Sequence, residues 1–187
     1  SQGIPCSRPQ FWSYGISPVF GRYELLVTEQ ISGASRMDTF IRSAETQPAI
    51  EALRQAYATV CRLHQCGFHH GTLFERNILV TGDGKKEHPR IFIIDTPKAI
   101  VFPYPVTGTR MASIDLLDLT GSVVHHLGGD HCTDLLTRSY GMPAGPAGKL
   151  VALAAAYNPG RGTRNMHRAE CEMWEILSHA GIRCPQT

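Results

Sequence analysis

Long hydrophobic runs are missing from this sequence. None approaches the roughly 20 apolar residues of a membrane-spanning helix, so no transmembrane segment is expected. The opening stretch, SQGIPCSRPQ, lacks the basic start and apolar block of a secretory signal and reads as the middle of something longer. Charge of one sign is equally scarce. Lys and Arg number 18 against 16 Asp and Glu, a net charge of +2, and no nucleic-acid partner is foreseen from so weak a basic balance. Six cysteines, at positions 6, 61, 66, 132, 171 and 184, show none of the paired spacing of a small disulfide scaffold. Reduced thiols in a cytoplasmic protein are therefore expected. Internal repeats and low-complexity stretches are also absent.

What is present suits a folded chain. An apolar content of 42% against 18% charged, over 187 residues, can bury the core of one domain or of one large lobe. VFGRYELLVTEQI reads as two short strands about Gly21 and Arg22, the second from Glu24 to Thr28. Ser35 is placed to cap a helix, with Asp38 completing a capping-box pattern. Pro48 stands at the start of a second helix, in which Ile50, Leu53, Tyr57, Val60 and Leu63 recur at helical spacing until Gly67 ends it. The runs from Ile78 to Thr81 and from Arg90 to Ile94 flank GDGKKEHP and read as a hairpin with a long loop. A third helix is expected in MASIDLLDLTGSVVHHL, a helix and loop in GGDHCTDLLTRSYGMPAGPAG, and closing helices in KLVALAAAYNPG and NMHRAECEMWEILSHAG. The fold class is α+β, mainly helical.

The hairpin carries the first chemical suggestion. If it pairs about a centre near Lys86, Asn77 faces Asp95. An amide oxygen and a carboxylate at its open end would then offer hard oxygens to Mg²⁺, which takes few protein ligands and completes its shell with phosphate oxygens. The plainer alternative has Asn77 capping a turn and Asp95 capping the next segment. Two groups of histidine and cysteine also stand out: His125, His126, Asp130, His131 and Cys132, and Cys61, His64, Cys66, His69 and His70. Neither has the paired spacing of a zinc site. Arg161, Arg164 and Arg168 could meet a phosphate or an acidic headgroup, but a solvated helix face is the preferred reading of that run.

Taken together, these residues resemble a known fold. His70-Gly71-Thr72-Leu73-Phe74-Glu75-Arg76-Asn77-Ile78-Leu79-Val80 is similar to the catalytic loop of the protein-kinase-like fold, and Ile93-Ile94-Asp95-Thr96 to its magnesium-binding strand end. ELLVTEQISG resembles the hinge strand that offers backbone groups to adenine around Glu29, Gln30 and Ile31. SIDLLDL resembles the central helix of the large lobe, whose aspartate, here Asp115, anchors the catalytic-loop backbone. Asp118 stands about 300° further round that helix and is expected on another face. The stretch from Asp95 to Asp115 is short and has no Ala-Pro-Glu segment. With LVTEQISG, LHQCGFHHGTL and FIIDTPKA, this points to the bacterial lipopolysaccharide core kinases, which phosphorylate heptose or Kdo sugars.

The resemblance implies a kinase-like C-terminal lobe with short β-hairpins. Residues 1–34 would be remnant strands and a hinge-like segment, and residues 35–187 the large lobe. It implies Mg²⁺ and ATP as cofactors wherever nucleotide binding is retained, held by Asn77 and Asp95, with His70 packed structurally beneath the metal. It implies a lipopolysaccharide or sugar acceptor, a protein partner or an upper lobe, and a place in the cytoplasm or at the periphery of the inner membrane. Two departures qualify it. The family's catalytic base is an aspartate five residues before the asparagine, and Thr72 stands there. A threonine hydroxyl is no base at neutral pH. In addition, no glycine-rich loop or lysine strand precedes the hinge. A pseudokinase or impaired phosphotransferase is the leading expectation, with weak Mg·ATP binding by this chain. The alternatives are an active small-molecule or lipopolysaccharide kinase completed by an upper lobe, and a non-nucleotide interaction module.

Overall fold

Strand-forming residues about Gly21 fold back on themselves. In the computed structural model, which describes residues 9–17, 21–82, 89–96, 98–157 and 163–182, β1 (Pro9–Ser17) pairs antiparallel with β2 (Gly21–Thr28). The chain leaves β2 through Glu29, Gln30 and Ile31, and then forms β3 (Ser35–Arg36) against Val80 and Leu79 of a later strand. Pairing there removes Ser35 from the capping position expected of it. The first helix, α1 (Met37–Ser43), starts after Arg36 with no side-chain cap. The Asp38 carboxylate is held by Arg36, at 3.0 and 2.6 Å, and by Arg42 at 3.1 Å.

Helix α2 (Thr46–Gln65) follows the apolar spacing read from the sequence, burying Ala52, Leu53, Ala56, Tyr57, Val60 and Leu63 on one side. It stops at Gly67 for two reasons. Gly67 has φ +80°, a left-handed conformation costly for a side chain, and a Cβ there would run into the backbone carbonyls of Phe102 and Tyr104. The close approach lets the Phe102 N–H donate to the Gly67 carbonyl at 2.8 Å, and the Val106 N–H to the His64 carbonyl at 2.8 Å. Next to it, β4 (Phe68–His69) pairs with β7 (Ile100–Val101).

The expected hairpin is formed by β5 (Ile78–Thr81) and β6 (Arg90–Ile93), with β3 on its far edge. Its register differs by one residue from the expected one. Ile78 pairs with Ile93 and Thr81 with Arg90, and the Ile94 N–H donates to the Asn77 carbonyl at 2.9 Å. Asn77 thus stands across from Ile94 rather than Asp95. The pairing that puts Ile78, Val80, Ile91 and Ile93 into the core sets this register.

Helix α3 (Arg110–Leu127) begins at Thr109, whose hydroxyl accepts from the Met111 N–H at 3.2 Å. It is buried along nearly its whole length, since α4 (Gly129–Leu135), α5 (Ala144–Ala156) and α6 (Thr163–Ser178) all pack on it. A π-helical turn, Leu136–Tyr140, joins α4 to α5 and packs on α2. Cys61 is disulfide-bonded, against the expectation of reduced thiols throughout, and its sulfur lies in the core. Among the described residues, no helix is long and apolar enough to cross a membrane.

Candidate active site

The loop after β4 is tied down from beneath by one carboxylate. Asp115 lies near the middle of α3 and is 1% exposed. Its Oδ2 accepts from the backbone N–H of His70 at 2.8 Å, from His64 Nε2 at 3.1 Å and from His69 Nδ1 at 3.2 Å. Oδ1 accepts from the Gly71 N–H at 2.8 Å. Burial alone would push this carboxyl up, but hydrogen bonds from His64 and then His69, followed by their charges, hold it well below the usual carboxylate range. His64 is itself fixed by the Tyr140 hydroxyl, 2.7 Å from Nδ1. Gly71, at φ +82°, carries the chain past Lys98, whose carbonyl would lie 3.0 Å from a Cβ there.

Above this anchor, His70 links the loop to the end of β6. Its Nε2–H donates to the Ile94 carbonyl at 2.9 Å, and its Nδ1 accepts from the Thr72 N–H at 3.3 Å, which defines the tautomer. Asn77 ends the short 3₁₀ turn Glu75–Asn77. Its Nδ2 donates to the Thr72 carbonyl at 2.8 Å, which leaves the amide oxygen as the end free to accept or coordinate. Asp95, the residue after Ile94, is exposed and has φ +62°. That left-handed conformation is uncommon outside glycine and costs on the order of 1–3 kcal/mol. No hydrogen bond or ion pair engages the Asp95 side chain among the described residues. Asn77 and Asp95 therefore supply two uncommitted oxygen ligands from adjacent segments, a donor set that fits Mg²⁺ completed by phosphate. Glu29 and Gln30 are exposed and Ile31 is half-buried in the segment between β2 and β3. The histidine and cysteine groups do not converge: among the described residues, no three His, Cys, Asp or Glu could hold a metal together. Of the arginine run, Arg161 lies outside the described residues, and Arg168 pairs with Glu172 at 2.9 Å.

A second feature escaped sequence reasoning. A cleft of about 800 Å³ opens between Phe74–Arg76 and α3, with Asp118 on its wall. Asp118 is 7% exposed, and no hydrogen bond reaches it among the described residues. Burial, and then the charges of Asp115 and Glu170, push its carboxyl up to about 7, against smaller opposing effects of Arg76 and His69. Helical spacing separates it from Asp115 correctly, but both faces of α3 are covered, so a different face is not an exposed one.

Residues 2–124 match the lipopolysaccharide kinase (Kdo/WaaP) family. The chain belongs to that family. No curated protein matches it. Among solved structures, WaaP in complex with acyl carrier protein is similar over 94% of this chain and 70% of that one, with a TM-score of 0.65 and 15% identity. At that identity the likeness speaks for the fold, and the fold is kinase-like. Within this lipopolysaccharide-kinase fold, the loop from His69 to Asn77 lies between the α3 anchor beneath and Asp95 in front. Thr72 sits in its middle, half-buried, with the carbonyl engaged by Asn77 and the hydroxyl making no hydrogen bond among the described residues.

Proposed function

We propose that this lipopolysaccharide-kinase family member is an impaired phosphotransferase, close to a pseudokinase. It keeps the frame for Mg²⁺ and ATP and lacks the proton acceptor. Residues 1–34 supply the hinge-like segment, with Glu29, Gln30 and Ile31 beside adenine, and residues 35–187 form the large lobe. Asn77 and Asp95 would hold the metal, which when bound supplies charge neutralisation at the phosphates. His70 keeps the end of β6 in register with the loop. By family, the acceptor is a sugar of the lipopolysaccharide core, met in the cytoplasm at the periphery of the inner membrane. The record of a WaaP bound to acyl carrier protein makes a protein partner a further reasonable expectation.

The observation that carries this reading is Thr72. Its backbone is held by Asn77 and His70, inside a loop anchored by four hydrogen bonds to Asp115. The position is built, yet its side chain cannot take a proton from an acceptor hydroxyl. Losing a general base typically slows a reaction about 10²–10⁴-fold. Phosphoryl transfer rests mostly on positioning and electrostatics, so turnover should be slow rather than absent. Nucleotide binding is tested by thermal shift with millimolar Mg·ATP. A stabilisation under about 1 kcal/mol, which corresponds to a Kd near the ligand concentration, is expected and should vanish in Asp95→Ala. A rise at micromolar nucleotide, or one that survives Asp95→Ala, would overturn the reading.

A further inference from the structure

We propose that the cleft between Phe74–Arg76 and α3 binds a primary ammonium group carried on a small polyol, held between Glu75 and Asp118. The proposal goes beyond the phosphotransferase reading and does not depend on nucleotide. The cavity, about 800 Å³, is of the size that encloses small ligands. On one wall, Asp118 is more than nine-tenths buried and lines the cavity, with no hydrogen bond among the described residues. On the facing wall, Oε2 of Glu75 is buried and also without a partner. Both unmet groups are acceptors. A buried acceptor left unpaired costs about 1–3 kcal/mol, and more when charged, so a ligand rich in donors gains by filling these positions.

The local charge selects among donor-rich ligands. Asp115 and Glu170 act on Asp118 in the same direction as burial, disfavouring its negative form, and outweigh Arg76 and His69. Arg76 lies over the Phe74 ring, 4.2 Å from its centroid, and forms no ion pair with either acid among the described residues. An anion would meet two carboxylates. A neutral polyol would satisfy hydrogen bonds and leave the charges uncompensated. An ammonium brings three donors and a positive charge, while Ser122 and Tyr157, which also line the cavity, can take the hydroxyls of the same ligand.

Calorimetric titration of the whole chain without nucleotide tests this, using glucamine and sorbitol, which differ by one ammonium in place of one hydroxyl. Glucamine should bind at least roughly tenfold more tightly, and Asp118→Asn, which keeps the shape, should erase that preference. If Asp118→Asn does not fold, Glu75→Gln decides: a reduced preference supports the site and an unchanged one refutes it. Equal binding of the two probes, no glucamine binding, or a preference that survives Asp118→Asn would each overturn the proposal. Because no nucleotide is present, such a failure leaves the phosphotransferase reading untouched.

Discussion

Asp115 and Asp118 sit one turn apart on the same helix, are 1% and 7% exposed, and behave in opposite ways. Burial pushes both carboxyls up. Asp115 overcomes this with donors from His64, His69, His70 and Gly71. Asp118 has no such donors and faces a cavity. Desolvation is therefore not what separates a structural carboxylate from one poised to bind something. The difference lies in whether the surroundings supply donors or leave that to a ligand. The side of α3 that meets Asp115 is a closed network serving the loop, and the side at Asp118 is open.

The largest test of that contrast is removal of the anchor. Asp115→Ala leaves two backbone N–H groups and two imidazoles without their acceptor, and breaking a buried charged network of this kind costs about 3–5 kcal/mol. Asp118→Asn should cost nothing measurable and should stabilise above neutral pH. Denaturant unfolding of both variants compares them directly, and equal losses would erase the distinction.

Titration gives a somewhat smaller signal of defined sign. The Asp118 carboxyl is raised from 3.8 to about 7, so the folded state binds a proton that the unfolded state has already released between those values. Stability should fall as pH rises from about 4 to 7, by on the order of 3 kcal/mol, and Asp118→Asn should flatten that limb. Asp115 is shifted downward, so its contribution is present above the unfolded value near 4 and is lost as pH falls further. Unfolding curves across pH 3–8 separate the two limbs. The smallest effect expected is that of Tyr140→Phe, which removes the hydroxyl 2.7 Å from His64 Nδ1 and should cost about 1 kcal/mol. A loss as large as that of Asp115→Ala would mean that the network is set from the Tyr140 side.

These contrasts also mark what the sequence could convey. The helical spacing of Leu53, Tyr57, Val60 and Leu63 was legible because one face of α2 is buried and the other wet. Asp115 was singled out by its place in SIDLLDL, and its carboxylate accepts the His70 and Gly71 N–H groups. Strands of two residues, such as β4 and β7, carry no period to read. Ser35 had the chemistry of a cap, but tertiary pairing with Val80 took it into a strand. The hairpin register missed by one residue because the long loop gives no turn geometry to count from. Asp118 was misjudged because an angle around a helix says nothing about how many sides are covered.

The central claim is that the catalytic loop is intact in its supports and deficient at one side chain. Turnover of Mg·ATP by the wild type and by Thr72→Asp, under saturating nucleotide, tests this most directly. The account predicts slow turnover in the wild type and a gain of about 10²–10⁴-fold in Thr72→Asp, lost again when Asp95→Ala is added. Nucleotide-bound Thr72→Asp turning over no faster than the wild type would contradict it.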